Sequence, residues 1–213
     1  IKYIFSKQNS DGGWPLFFDG ESDISASVKA YYALKLSGLE KNHESLVKAK
    51  TFILKNGGAE NVNVFTRISL ALFGQISWNS IPYMPAEIIN FPRWFPFSIY
   101  KISYWSRTVL IPLLVIMNKK PLANNPSNIS IEELFIDPNT SPSVKAINSS
   151  GFFSSLFLIL DKVARFFFPN FVSKNYKKKC IDDIYEWTYK RLNGKDGLGG
   201  IFPAMVNALI VFK

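Results

Sequence analysis

With 213 residues, 47% of them hydrophobic and 15% aromatic, including 19 Phe, the chain can build a sizeable core, and this composition excludes disorder. A net charge of +9 asks for an anionic partner or a solvated face. Its densest run, "KNYKKK" at 174–179, directly follows the apolar "RFFFPNFV", which favours lipid headgroups over nucleic acid.

The start at Ile1 and the apolar finish "NALIVFK" look unlike natural termini, so a fragment of a longer protein is expected. No secretory signal is visible. In "SKQNSDGGWPLF" (6–17), helix-forming residues run through Gln8 into Asn9, Ser10, Asp11, Gly12 and Gly13, which stop a helix and turn the chain before Trp14. A helix cap followed by an ordinary core aromatic is the plain reading of these residues. The segment 24–36 sets Ile24, Val28, Tyr31, Tyr32 and Leu36 on one stripe, follows the caps Ser22 and Asp23, and stops at Gly38, which predicts an amphipathic helix. Further helices are predicted at 46–54, closed by Gly57 and Gly58, and at 62–73, closed by Gly74. A longer one is expected at 98–118, containing Pro112, and prolines 82, 85, 92 and 96 mark an irregular connector before it.

A polar stretch at about 122–150 reads as an insertion loop with a short helical piece at 131–135. The segment 152–168 is helical, and Phe152, Phe153, Leu156, Phe157, Leu160, Val163, Ala164, Phe167 and Phe168 cover well over half its circumference. Helices at about 180–192 and 203–213 complete the chain, separated by "NGKDGLGGIF". "YYALKLSG" and "ISLALFG" both end a helix with Ala-Leu shortly before Gly. Such an echo among consecutive helix pairs points to an α/α solenoid or toroid.

Metal and nucleophile chemistry find little support. His43 lies in the polar turn "EKNHES" and reads as surface, and Cys180 is the one cysteine, with no disulfide partner and no metal spacing. The longest apolar run, 109–117, is too short to span a bilayer. Asp182, Asp183 and Glu186 imitate the Mg²⁺-binding acidic motif of ionising terpene synthases, but acids opening a helix complement its dipole without any metal.

Together "QNSDGGW", "DISASVKAYYALKLSG", "VFTRISLALFGQISW", "MPAEIINFPRWFPFSIYKISYWSRTVLIPLLVI" and "DGLGGIFPAMVNAL" resemble the bacterial squalene-hopene cyclases over essentially the whole chain. Gln8, Gly12 and Trp14 look like the Gln-x-x-x-Gly-x-Trp core of that family's QW motif, in which a helix-end Gln binds backbone of the next unit and Trp packs against it. A second candidate keeps Asp196 and Gly197 but lacks both Gln and Trp.

The resemblance implies one α/α-barrel domain over 1–213, the inserted, N-terminal-in-sequence barrel, with a membrane-contacting helix at about 151–171. It implies that squalene is folded in an aromatic cavity and cyclised to pentacyclic hopanoids through protonation-initiated carbocations, with no cofactor and no metal. Phe65, Trp105, Ile201, Phe202 and Pro203 are implied on the cavity wall, with ordinary core packing as the alternative for Trp105 and Phe65. Phe202 stands where some relatives carry Gln, which bears on the polar contacts at the cavity's lower end. The general acid belongs to an Asp-x-Asp-Asp motif that this chain lacks. It is expected in the missing second barrel, so no residue here is catalytic and the fragment alone is expected to be inactive.

Phe152, Phe153, Phe157, Phe167 and Phe168 are implied to dip into one leaflet, beside headgroup-level Arg165, Lys174 and Lys177 to Lys179. The implied setting is the bacterial cell membrane, monotopic and on its cytoplasmic side, with squalene and lipid as partners, a homodimer left open, and no nucleic acid. Two alternatives stay open at this point: a cyclase making another polycycle, and a non-catalytic α/α module that binds isoprenoids or anchors a partner to membranes.

Overall fold

Capping chemistry decides where the helices of this chain begin and end. The computed structural model describes residues 1–137, 152–194 and 197–213. Among them are eight α-helices and one ladder of two dipeptide strands, so the chain is all-α, as the helical periodicity requires. The described residues group into two compact units, Ile1–Ile81 with Leu122–Ser154 and Pro82–Pro121 with Ser155–Lys213.

In the first unit, α1 (Lys2–Ser6) leads into the glycine turn, and β1 (Trp14–Pro15) pairs antiparallel with β2 (Ser22–Asp23). Asp23 accepts from the Ala26 N–H at 2.8 Å and starts α2 (Ile24–Leu36) where the sequence places it. His43 caps α3 (Glu44–Lys55) by accepting from the Ser45 N–H, and Asn63 caps α4 (Val64–Leu72) by accepting from Thr66. The Asn63 cap is why α4 begins later than periodicity suggests.

All three helices close alike. Gly38, Gly57 and Gly74 turn left-handed, and the next residue donates its N–H back into the helix: Leu39 to Leu34, Gly58 to Ile53 and Gln75 to Leu70. The Ala-Leu-to-Gly echo is therefore a repeated helix stop.

Val28, Tyr31 and Leu34 of α2 and Leu46, Ala49 and Ile53 of α3 are buried, and the two helices pack together. Leu36, which periodicity puts on the buried stripe, is exposed, and Leu34 is buried instead. The reason is a second neighbour: the segment around Glu133 covers another side of α2. Tyr31 donates to Glu133 Oε1 at 2.8 Å and Lys35 Nζ reaches the same oxygen at 2.6 Å. Gln75 Nε2 donates to the Ile129 carbonyl, and its Oε1 accepts from the Ile131 N–H. Within the stretch read as an insertion loop, Ile131 and Leu134 are thus fully buried core residues, and 138–150 lie outside the described residues.

Arg67 is buried among backbone carbonyls, donating to Val62 at 3.2 Å, Ser80 at 3.4 Å and Glu60 at 2.6 Å. It ties the turn before α4 to the end of this unit's first stretch.

In the second unit, Ser103 caps α5 (Tyr104–Lys119), later than expected, because residues 99–101 close a separate 3-10 turn. Every residue from Ile111 to Met117 is buried, Pro112 included, so α5 is covered all round in its middle. The other helices are α6 (Phe152–Phe171), α7 (Lys174–Tyr189) and α8 (Phe202–Phe212). Residues Cys180, Ile184 and Thr188 form the buried stripe of α7, and Ala204, Ala208 and Val211 that of α8. The small alanines let α8 approach α5 closely, and Asn207 Nδ2 donates to the Val109 carbonyl at 3.1 Å.

Candidate functional site

The turn between α1 and β1 is held from three sides. Gln8 Nε2 donates to the Gly12 carbonyl at 2.8 Å and to the Ser45 carbonyl in the first turn of α3 at 2.9 Å, while the Ser45 hydroxyl donates back to Gln8 Oε1. Gly12 has φ +91°, and a Cβ there would stand 2.5 Å from the Lys48 carbonyl oxygen, so both its backbone conformation and its contact with α3 require glycine. Trp14 is only 4% exposed. Its indole N–H donates to the Ile4 carbonyl at 2.7 Å and its backbone N–H to Ser27 Oγ of α2 at 2.8 Å. One glutamine and one tryptophan thus join α1, α2 and α3. Beside this turn, a groove of about 710 Å³ is lined by Lys7, Phe17, Phe18 and Lys29 along with Gln8 and Trp14, and none of the five cavity candidates is among its lining residues.

Those five lie as follows. Phe65, on α4, is in the first unit and 55% exposed. Trp105, on the first turn of α5, is 61% exposed. Ile201 caps α8 and packs, with Val109 of α5, against buried Leu198, Ala204 and Ala208. Phe202 opens α8 at 76% exposure, beside Pro203 in its first turn. The turn before it is costly, because Leu198 takes φ +55° ahead of two left-handed glycines. Burial of the Leu198 side chain in the α8 cluster offsets that strain and fixes where Phe202 emerges. Trp105, Ile201, Phe202 and Pro203 therefore sit on the packed pair α5 and α8 of one unit. Of the second turn candidate, Asp196 lies outside the described residues.

Helix α6 inverts the ordinary amphipathic rule. Its ion pair of Arg165 with Asp161 at 2.6 Å is mostly covered, and Asp161 also accepts from the Tyr83 N–H of the connector. Phe168, one turn on, meets the rings of Tyr83 and Phe91 at 6.3 Å. Phe157, Ile159, Val163, Phe166, Phe167 and Phe171 are exposed. A helix facing water would turn its charged pair out and its phenylalanines in. Two expectations change here. Arg165 is engaged by Asp161 and is no free headgroup-level cation, and Phe168 is partly covered by its own unit. Phe152 and Phe153 begin α6, and their side chains lie outside the described residues. No described helix is long and apolar enough to cross a membrane.

The acidic trio is also corrected. Ser173 caps α7 well before Cys180, so Asp182, Asp183 and Glu186 stand inside the helix and the dipole argument fails. Asp183 pairs with Lys179 and accepts from Asn90 at 2.7 Å, and both hold its carboxyl below the usual range. Glu186 pairs with Lys190, one turn away. Burial pushes the Cys180 thiol up, away from the reactive thiolate form. His43 is exposed and serves as a cap.

Residue reasoning passed over the loop 91–101, where Trp94, Phe97 and Tyr100 are exposed beside Arg93 and Lys101. Its signal was available: aromatics alternating with cations and prolines, with no acid from 88 to 119.

The described residues thus define an all-α protein whose exposed functional candidates are aromatic and apolar, with no group of three metal-binding side chains among them. The profile described as "Squalene-hopene cyclase N-terminal domain" matches residues 1–213, and the chain belongs to that family. It is 42% identical to the squalene-hopene cyclase of Zymomonas mobilis, a match covering 99% of this chain and 32% of that protein. It is 44% identical to the squalene-hopene cyclase of Bradyrhizobium diazoefficiens, with 99% and 32% covered. A squalene-hopene cyclase of the fission yeast Schizosaccharomyces japonicus is 44% identical, with 94% and 31% covered. The chain spans about a third of the length of these curated relatives.

Proposed function

We propose that this chain is the N-terminal barrel domain of a squalene-hopene cyclase, an intramolecular isomerase that turns squalene into a pentacyclic hopanoid. The observation that carries the reading is the family match over all 213 residues. In the physical account, the cascade needs an environment that shields a carbocation from water yet stabilises it, and aromatic faces do both without acting as nucleophiles. Phe65, Trp105 and Phe202 have the exposure that such a role demands, and Ile201 and Pro203 fix the helix start that presents Phe202. The proton that starts the cascade comes from an acid outside this chain, so 1–213 alone is inactive. Gln8, Gly12 and Trp14 act as a structural QW-type brace.

The outward phenylalanines of α6 support a monotopic contact with lipid, from which a water-insoluble hydrocarbon enters. Lys174 and Lys178 are exposed just beyond α6 and suit the headgroup layer.

Incubating the full-length gene product with squalene in detergent, and identifying products by mass spectrometry, tests the reading. Formation of a hopanoid is the expected result. A different polycycle would reassign the enzyme within triterpene cyclases, and no conversion by folded protein would leave a binding or anchoring module.

A further inference from the structure

The second unit carries an exposed aromatic surface that α6 does not account for. Trp94 is 76% exposed, and Phe97 and Tyr100 stand exposed beside it. The loop that bears them is held by its own hydrogen bonds. Phe95 N–H donates to the Pro92 carbonyl, Ser98 to Phe95 and Lys101 to Ser98, three successive tight turns. Inside, the rings of Phe91 and Phe95 stand 4.7 Å apart edge to face, and Phe95 meets Trp94 at 5.9 Å. The charges are of one sign. Arg93 lies over the Tyr100 ring at 5.2 Å, Lys101 Nζ donates to the Trp94 carbonyl at 3.3 Å, and no acid occurs from 88 to 119. Phe91 also meets Phe168 of α6, so loop and helix are fixed to each other within one unit.

We propose that the loop 91–101 is a second lipid-contacting element, separate from the phenylalanine face of α6, seated in the headgroup layer of an anionic bilayer. The proposal rests on the membrane reading of α6 given above. Tryptophan and tyrosine prefer the boundary where an apolar ring and a polar edge are both served. Two exposed cations at that depth attract anionic phospholipid, while a zwitterionic surface offers no such attraction. The prefolded turns mean that little chain entropy is lost on contact. A cover supplied by the rest of the protein is the competing occupant, and the experiment separates the two.

The full-length protein is partitioned by flotation onto vesicles of phosphatidylcholine alone and of phosphatidylcholine with phosphatidylglycerol. The double variant Arg93→Gln/Lys101→Gln should lose roughly tenfold in binding to the phosphatidylglycerol vesicles and little on the others. Trp94→Ala should lose several-fold on both. Melting temperatures should stay at wild type, because these side chains are exposed. Wild-type partitioning of both loop variants would overturn the proposal, as would a lowered melting temperature with unchanged binding of the folded protein, the signature of a covered loop. Phe157→Ser/Phe167→Ser is the control. Its loss of binding with intact loop variants leaves the α6 reading standing and removes only the loop, whereas wild-type binding of all three removes both.

Discussion

Trp14 and Trp105 are the same residue type in the same chain, and the structure treats them oppositely. Trp14 is 4% exposed, with its indole N–H satisfied by a carbonyl and its backbone donating to α2. Trp105 is 61% exposed on the first turn of α5. The first belongs to a turn that hydrogen bonds tie to α1, α2 and α3. The second belongs to a region that leaves large aromatics uncovered and hides its charged pair, as α6 does with Asp161 and Arg165. If the proposed reading holds, the uncovered aromatics are the surface that meets the hydrocarbon, and the hydrogen-bonded turn around Trp14 contributes stability instead.

The largest effect should come from Trp14→Ala. It opens a cavity and removes the indole hydrogen bond to the Ile4 carbonyl, at a cost of about 3 to 5 kcal/mol, read as a large drop in the melting temperature of the full-length protein. A small drop would mean that the brace is redundant and the contrast between the two tryptophans is weaker than drawn. Gly12→Ala should follow, at about 2 kcal/mol or more, because a left-handed backbone would carry a Cβ only 2.5 Å from the Lys48 carbonyl oxygen.

Trp105→Ala should divide activity from stability. With the side chain mostly exposed, melting should shift by less than about 1 kcal/mol equivalent. Turnover of squalene by the full-length enzyme should fall by up to roughly thirtyfold, or incompletely cyclised products should appear, since a desolvated cation over an aromatic face gains on the order of 2 kcal/mol. Trp105→Phe should lose less. A variant that melts much earlier while keeping its rate and product profile would return Trp105 to packing.

The smallest effect is expected from pH at Glu133. Burial alone would raise this carboxyl, but Lys35 and the Tyr31 hydroxyl together hold it below its ordinary 4.5. A depressed carboxyl stabilises the fold above its unfolded value, and that contribution is lost as the pH falls through the folded value. Glu133→Gln should therefore cost about 1 kcal/mol near pH 7. Wild type and variant should converge as the pH falls through that lowered value, which thermal melts from neutral into acid pH would detect. A constant gap across that range would mean the glutamate acts by shape alone.

Helix type and most helix ends were legible because they depend on nearest neighbours in sequence. Asp23 before an apolar stripe and glycine after it place α2 without reference to anything else. Where local signals compete, reading failed by a turn. Ser103 overrode the earlier start of α5, and Ser173 extended α7 back over the lysine run, which moved Asp182 and Asp183 from the helix start to its middle.

By itself the sequence determined the all-α class, the repeated glycine stops, the Gln8, Gly12 and Trp14 grouping, and the family. Each is carried by residue order at short range or by resemblance along the whole chain. Only the tertiary structure decided which aromatics are covered. The buried middle of α5 and the uncovered face of α6 are both rich in large apolar residues, and nothing in either segment says what packs on it. It also decided that Leu34 rather than Leu36 is buried, that Ile131 and Leu134 belong to the core, and that Arg165 turns to Asp161. Burial is set by neighbours distant in sequence, here the segment around Glu133 and the connector at Tyr83, and a periodic pattern records which face is apolar without recording how many sides are occupied.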